Sequence, residues 1–265
     1  MLVPLAGGGQ ETLISEVGFV LLLLFTTRDA CALRLVCREF LAAVTEHPWE
    51  DRGTVIQGSI AAWRASFPHA RCANVCESDL YGEAEEERTT HLTDADFVHF
   101  EGLRELYMAG CKRITDAAFL HLHGIHTLEM SYCSQETITD AAFAHLAGIQ
   151  RLGIWACDQD TITDAAFSHL RGIQLLDISC CSQLTDVAFV HLRDIHTLYM
   201  LNCAQPGITD AAFVHLRGIH TLVMECDQAT ITGAIFPASR VYPCWALGTA
   251  ATKSSQLRRA WACLC

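Results

Sequence analysis

Residues 114–137 read ITDAAFLHLHGIHTLEMSYCSQET, and the fold follows from this stretch because the chain repeats it. The other copies are LTDADFVHFEGLRELYMAGCKR at 92–113, ITDAAFAHLAGIQRLGIWACDQDT at 138–161, ITDAAFSHLRGIQLLDISCCSQ at 162–183, LTDVAFVHLRDIHTLYMLNCAQPG at 184–207 and ITDAAFVHLRGIHTLVMECDQAT at 208–230. A seventh copy begins at Ile231 and breaks off at Phe236. Within the quoted copy, the alternation Leu128-x-Met130 predicts a short strand. Thr115 or Asp116 is an N-cap candidate, Phe119 and Leu122 share one helical face, and Gly124 ends the helix. One such unit cannot bury both its strand face and its helix stripe. The copies must therefore stack, with parallel strands on one side and short helices on the other.

Composition narrows what such a stack does. The chain has 265 residues, a formal charge of -12, 51% hydrophobic residues and a mean hydropathy of +0.24. Its longest unbroken apolar run, Phe19 to Phe25, falls well short of the roughly 20 residues that span a bilayer, so no membrane span is expected. No Lys or Arg precedes Arg28, which does not fit a secretory leader, and the expected location is intracellular, cytoplasmic or nuclear. The acidic balance argues against a nucleic-acid partner. Only residues 237–265 carry net positive charge, from Arg240, Lys253, Arg258 and Arg259.

Six of the 14 cysteines, Cys111, Cys133, Cys157, Cys181, Cys203 and Cys226, recur at one point of the repeat, which predicts buried structural thiols. With Ile125, Leu128, Met130 and Ile138, the quoted copy resembles the cysteine-containing class of leucine-rich repeat, L-x-x-L-x-L-x-x-C. That resemblance implies an α/β fold: a curved solenoid with parallel strands concave and short helices convex. Units this short predict abbreviated helices. Two ladders accompany the cysteines. His99, His121, His145, His169, His191 and His215 are read as a column of partly exposed polar residues, because metal ligands converge on a point and a ladder spreads them along a line. Gln135, Gln159, Gln183, Gln205 and Gln228 are read as amides satisfying backbone groups between coils.

Residues 13–49 read LISEVGFVLLLLFTTRDACALRLVCREFLAAVTEHPW. Arg28-Asp29 predicts a turn before a second helix carrying Leu33, Val36, Cys37 and Phe40. A short unit this apolar needs a cover, either from its own chain or from another protein. Leu13, Glu16, Val17, Leu21, Leu22, Asp29, Leu33, Leu35, Val36, Cys37, Arg38, Phe40 and Trp49 are in register with the pattern of an F-box, which this stretch resembles over about 37 residues. Departures are Ile14, where the family usually has Pro, and the apolar Leu23 and Leu24. The resemblance implies docking onto the adaptor subunit of a cullin-RING ubiquitin ligase, and through it onto the cullin. Leu13, Val17, Leu21, Leu22, Leu33, Leu35, Val36, Cys37, Phe40 and Trp49 would then form the adaptor face. F-box first and repeats after is the order of the F-box and leucine-rich repeat proteins. In the other reading, these helices only cap the solenoid.

The expected organisation is a helical unit over 10–52, a linker with a degenerate first coil and an acidic loop over 53–90, repeats over 91–236, and a cap or tail over 237–265. Residues flanking the apolar pair of each strand point from the concave face. Those expected to meet a target protein are Tyr107, Glu129, Arg151, Trp155, Asp177, Tyr199, Leu201, Val223 and Glu225, for aromatic anchors with acidic neighbours suit a ligand with an apolar patch and some positive charge. No phosphate loop, G-x-S-x-G or H-E-x-x-H occurs, and His69, Cys72 and Cys76 lack a fourth zinc ligand. Neither enzyme activity nor a cofactor is expected.

Overall fold

The structure is a computed structural model that describes residues 22, 25–76, 91–203, 206–225, 230–231 and 241–243. The chain divides into two compact units, Met1–Val75 and Cys76–Cys265.

In the first unit, α1 (Thr27–Leu33) and α2 (Arg38–Glu46) are followed by α3 (Ile60–Ser66) and a three-residue strand, β1 (Cys72–Asn74). The turn expected at Arg28-Asp29 is instead the first turn of α1. Asp29 accepts from the backbone N–H of Thr26 at 3.0 Å while Thr26 Oγ1 accepts from Asp29 N–H at 3.3 Å, so the Asp satisfies a helix end. These hydrogen bonds hold the Asp29 carboxyl below its usual range. The real turn is at 34–36, where Leu35 N–H reaches Ala32 O and Val36 N–H reaches Leu33 O. Leu22, Ala30, Val44, Trp49, Phe67 and Ala70 form the core, with Phe25, Leu33, Ala43 and Trp63 packed against it. The core thus draws on Phe67 and Ala70 as well as on residues before 50. Trp49 unites them: its Nε1 donates to Val44 O at 2.9 Å, its ring meets Phe67 edge-on at 5.9 Å, and its carbonyl accepts from Arg71 N–H at 2.7 Å.

The second unit is a leucine-rich-repeat solenoid. Among the described residues, seven parallel strands follow one another in chain order, β2 (Glu105–Tyr107), β3 (Thr127–Glu129), β4 (Arg151–Gly153), β5 (Leu175–Asp177), β6 (Thr197–Leu201), β7 (Thr221–Glu225) and β8 (Val241–Pro243). β8 lies past residue 236, in the segment that lacks the repeat pattern, and pairs with β7 through Leu222↔Val241. The helical turns are short, as expected: Asp94–Phe100, Asp116–Phe119, Asp140–Phe143, Asp164–His169, Asp186–Phe189 and Asp210–Phe213. Each coil contributes the same buried set. Phe119, Leu128, Met130, Cys133 and Ile138 have no exposed surface, nor do their equivalents Phe143, Leu152, Ile154, Cys157 and Ile162 one coil on. Each large apolar side chain so buried is worth about 1.5–3 kcal/mol relative to exposure.

Polar ladders tie the coils together. Cys133, Cys157, Cys181 and Cys203 point their thiols at the carbonyls of Met108, Met130, Ile154 and Ile178 of the preceding coil. Gln135, Gln159 and Gln183 donate to Ile114 O, Cys133 O and Cys157 O, the role read for these amides; Cys226, Gln205 and Gln228 lie outside the described residues. A third ladder went unread. The Thr of each I-T-D caps its own helix and also donates, through N–H and Oγ1, to both oxygens of the Asp that opens the preceding helix. Thr163 to Asp140 at 2.7 and 2.7 Å is typical, and Thr115–Asp94, Thr139–Asp116, Thr185–Asp164 and Thr209–Asp186 repeat it.

Two predictions test this core. Thr163→Val removes a helix cap and one charge-assisted bond between coils, and should lower unfolding stability by ~1–2 kcal/mol in urea titration. Burial pushes the Cys157 thiol up to about 12, and Cys133 and Cys181 well above the usual range. Mapped alkylation of the native protein should therefore label exposed Cys31 and half-buried Cys37 and Cys180 before any of these.

Candidate functional site

The residues expected to meet an adaptor separate into two groups. Leu22 and Trp49, each 1% exposed, belong to the core of the first unit, and Leu33 packs on that core. This corrects the expectation that Leu22 and Trp49 face a partner: a Trp with its indole N–H satisfied inside is more stable there than on the surface. Leu35 and Val36, at 81% and 67% exposed, stand on the turn between α1 and α2, beside half-buried Cys37 and Phe40 and the 47% exposed Leu41 of α2. Leu13, Val17 and Leu21 lie outside the described residues. The start of α1 is fixed by Asp51, whose Oδ2 accepts from N–H and Oγ1 of Thr27, both at 2.9 Å. Burial works to raise the Asp51 pKa, but hydrogen bonds from Thr54, Thr27 and Gly53 outweigh it and hold the carboxyl below its usual range.

On the concave face of the second unit, strand register sets out rows that cross the sheet. One row runs Tyr107, Glu129, Gly153, Asp177, Tyr199, Val223, and the row beside it Glu105, Thr127, Arg151, Leu175, Thr197, Thr221. Toward the C-terminal end, Leu175, Tyr199 and Val223 bury one another, with Leu201 packed against them. Tyr199 and Val223 are therefore not the exposed anchors the sequence suggested. Strands about 4.8 Å apart bring neighbouring large side chains into contact, and each covers the next. Tyr107, Arg151, Trp155, Asp177 and Leu201 are half-buried and remain partly accessible; Glu225 occupies the last position of β7.

Glu129 is the second departure, being only 4% exposed. Its Oε1 accepts from Ser131 N–H at 3.0 Å and from the Ser131 hydroxyl, and its Oε2 lies across Gly153, where a Cβ would overlap it. Burial, with the charge of Asp177 adding and the Ser131 bonds opposing, pushes its pKa up to about 7. Asp177 follows the same local scheme, its Oδ1 accepting from Ser179 N–H at 2.9 Å, and at the other end Tyr107 Oη donates to Glu105 Oε2 at 3.2 Å.

Along the C-terminal edge of the strands runs a feature the sequence reading missed. The residue just before each ladder cysteine takes left-handed backbone: Gly110 (φ 75°), Tyr132 (63°), Ala156 (56°), Cys180 (58°) and Asn202 (53°). Gly and Asn at this position were the available signal. The turn brings Tyr132 edge-on to Trp155 at 4.3 Å and places Trp155 Nε1 3.2 Å from Cys180 Sγ, so Trp155 is held from both sides. Among the described residues no group of three or more His, Cys, Asp or Glu is placed to hold a metal ion, and no helix is long and apolar enough to cross a membrane.

The fold is a leucine-rich-repeat solenoid, and the chain also carries a small helical unit. No family model and no curated protein matches the sequence. Among solved structures the chain is similar to one from the yeast Rad7–Elc1 complex, with 16% identity, TM-score 0.46, 60% of this chain covered and 45% of that one. It is similar also to one from the Drosophila Toll–Spatzle complex (15%, TM-score 0.48, 67% and 27%) and to human 5T4 (16%, TM-score 0.47, 70% and 77%). The chain spans less than half the length of the first two.

Because Glu129 has a higher pKa folded than unfolded, it holds a proton in the native state between about pH 4.5 and 7 that the unfolded chain releases. Its contribution is present below the unfolded pKa and lost as pH rises through about 7, about 3 kcal/mol in all at 1.36 kcal/mol per unit. Urea midpoints measured from pH 4 to 8 should therefore fall more with rising pH for wild type than for Glu129→Gln. Parallel profiles would show that Glu129 titrates normally.

Proposed function

We propose that this chain is a non-catalytic substrate receptor of a cullin-RING ubiquitin ligase, working inside the cell. The N-terminal unit engages the adaptor subunit through Leu35, Val36, Cys37 and Phe40, joined by Leu13, Val17 and Leu21, while the concave repeat face holds the protein to be ubiquitinated. One observation carries this reading: Leu35 and Val36 project into solvent from a turn whose flanking helices already close their own core around Leu22 and Trp49. A unit serving only as a solenoid cap has no use for its most exposed apolar side chains on such a turn. The F-box pattern places those same two residues on the adaptor side. On the target side, Tyr107, Trp155 and Leu201 supply partly accessible apolar surface and Asp177 supplies negative charge. The transfer chemistry would belong to other subunits.

Co-expression with a ligase adaptor subunit, followed by size-exclusion chromatography, tests the reading. Wild type should co-elute with the adaptor. Leu35→Asp should not, while its urea midpoint stays within about 0.5 kcal/mol of wild type because the side chain is exposed. A folded wild type that fails to bind, or a mutant that binds as well, would leave a repeat protein whose N-terminal helices have another role.

A further inference from the structure

The helical turns of the solenoid present a second surface, on the side away from the strands. In the coil of residues 184–207, Val187, Val190 and Arg193 stand three residues apart, and Val190 N–H bonds back to Val187 O, so they follow one edge of a three-residue turn. The same three positions are Ala165, Ser168 and Arg171 one coil earlier, and Ala211, Val214 and Arg217 one coil later. All are exposed except half-buried Ser168. The five large apolar side chains that the described repeats leave in solvent, Val98, Leu120, Val187, Val190 and Val214, all fall at the first two of these positions. Toward the N-terminal end the third position holds Glu101, His123 and Ala147, and Glu101 is paired with His121 at 2.7 Å. Toward the C-terminal end it holds the three arginines, and none of their guanidinium groups is hydrogen-bonded or ion-paired to a described residue. The acids that open these turns are occupied: Asp164 accepts twice from Thr185, Asp186 accepts twice from Thr209, and Asp210 is likewise engaged. Asp194, next to Arg193, is the one further acid, against three arginines.

We infer that this strip is a docking surface for an acidic amphipathic segment of another polypeptide. Val187, Val190 and Val214 receive its apolar stripe, and Arg171, Arg193 and Arg217 receive its carboxylates. The inference goes beyond the proposed use of the concave face, which lies on the other side of each coil. Charge selects the occupant. In a chain of formal charge -12 an arginine has many acids to pair with, and three in successive coils that pair with none leave a cationic edge beside exposed apolar surface. A guanidinium holds a carboxylate bidentately, which gives that edge a preference for Asp and Glu. Coils step by about 4.8 Å at the strands and by somewhat more on the outer side of a curved stack, close to the roughly 5.4 Å pitch of an α-helix. Acids one turn apart on a helix laid along the strip therefore meet successive arginines. A polyphosphate fits less well, because it leaves the valines uncovered and the net negative charge of the chain repels it. A second copy of this chain fits less well too, since the one carboxylate at the third position of this face, Glu101, is held by His121.

The test uses the full chain and a fluorescein-labelled amphipathic helical peptide of about five turns, with leucines along one face and glutamates beside them, and a counterpart with lysines in place of the glutamates. Fluorescence anisotropy should rise saturably with the acidic peptide, fall back as salt is added, and stay flat with the basic one. Arg193→Glu should weaken binding about tenfold, and Arg193→Lys, which keeps the charge without the planar fork, should fall between that variant and wild type. Val190→Asp should also weaken it about tenfold. Both side chains are exposed, so the urea midpoints of these variants should match wild type. In NMR spectra the Val190 and Val214 methyl signals should shift on binding, and the Trp155 indole signal on the concave side should not. Equal binding of the two peptides, an Arg193→Glu chain that binds as wild type, or shifts at Trp155 in place of Val190 would each overturn the proposal. So would a duplex oligonucleotide that displaces the peptide better than unlabelled peptide does, or a dimer in sedimentation that Val190→Asp dissolves, which would assign the strip to a second copy.

Discussion

Every coil of the repeat unit depends on having a neighbour. A coil of this length carries a Phe, several Leu or Ile, and a Cys that it cannot bury alone, and its backbone leaves carbonyls and N–H groups unpaired at each turn. Stacking answers both needs with the same geometry. The apolar set of one coil closes over that of the next, while three ladders satisfy the polar groups left at the joint: thiol to carbonyl, amide to carbonyl, and Thr to Asp. The Thr–Asp contact does most to fix register, because it uses both oxygens of one carboxylate and also caps a helix, so a slip would break all of these at once.

The first unit solves a different problem. Among its described residues, some apolar side chains are enclosed and others are left in solvent. Trp49 and Leu22 go inside with Phe67 and Ala70, where the indole finds an acceptor and the ring finds a partner; Leu35 and Val36, on the turn after α1, stay exposed. Asp29 and Asp51 fix the opposite, N-terminal end of α1, one by capping it and the other by holding Thr27, its first residue.

The concave face is uneven in the same way. Its C-terminal half is apolar and self-covered through Leu175, Tyr199 and Val223, while its centre holds carboxylates around a glycine gap. Burial pushes the Glu129 carboxyl up to about 7, so this buried group changes charge around neutrality.

Most of the fold was legible in the sequence, because six copies of one sentence expose periodicity that a single copy would hide. The strands, the short helices, the buried cysteines and the amide ladder all follow from residue type at a fixed repeat position. So does the resemblance of residues 13–49 to an F-box, which the pattern alone suggested. The sequence did not determine which side chains stay accessible. Glu129, Tyr199, Leu22 and Trp49 have residue types compatible with either surface or core, and their burial depends on what stands across the neighbouring strand or helix. Gly153 is one glycine among 17 until register sets it between Glu129 and Asp177. Strand β8 has no repeat signature, and pairing with β7 alone places it. Local pattern fixed the elements; contacts between residues more than twenty positions apart decided what each surface presents, and such contacts exist only once the coils have stacked.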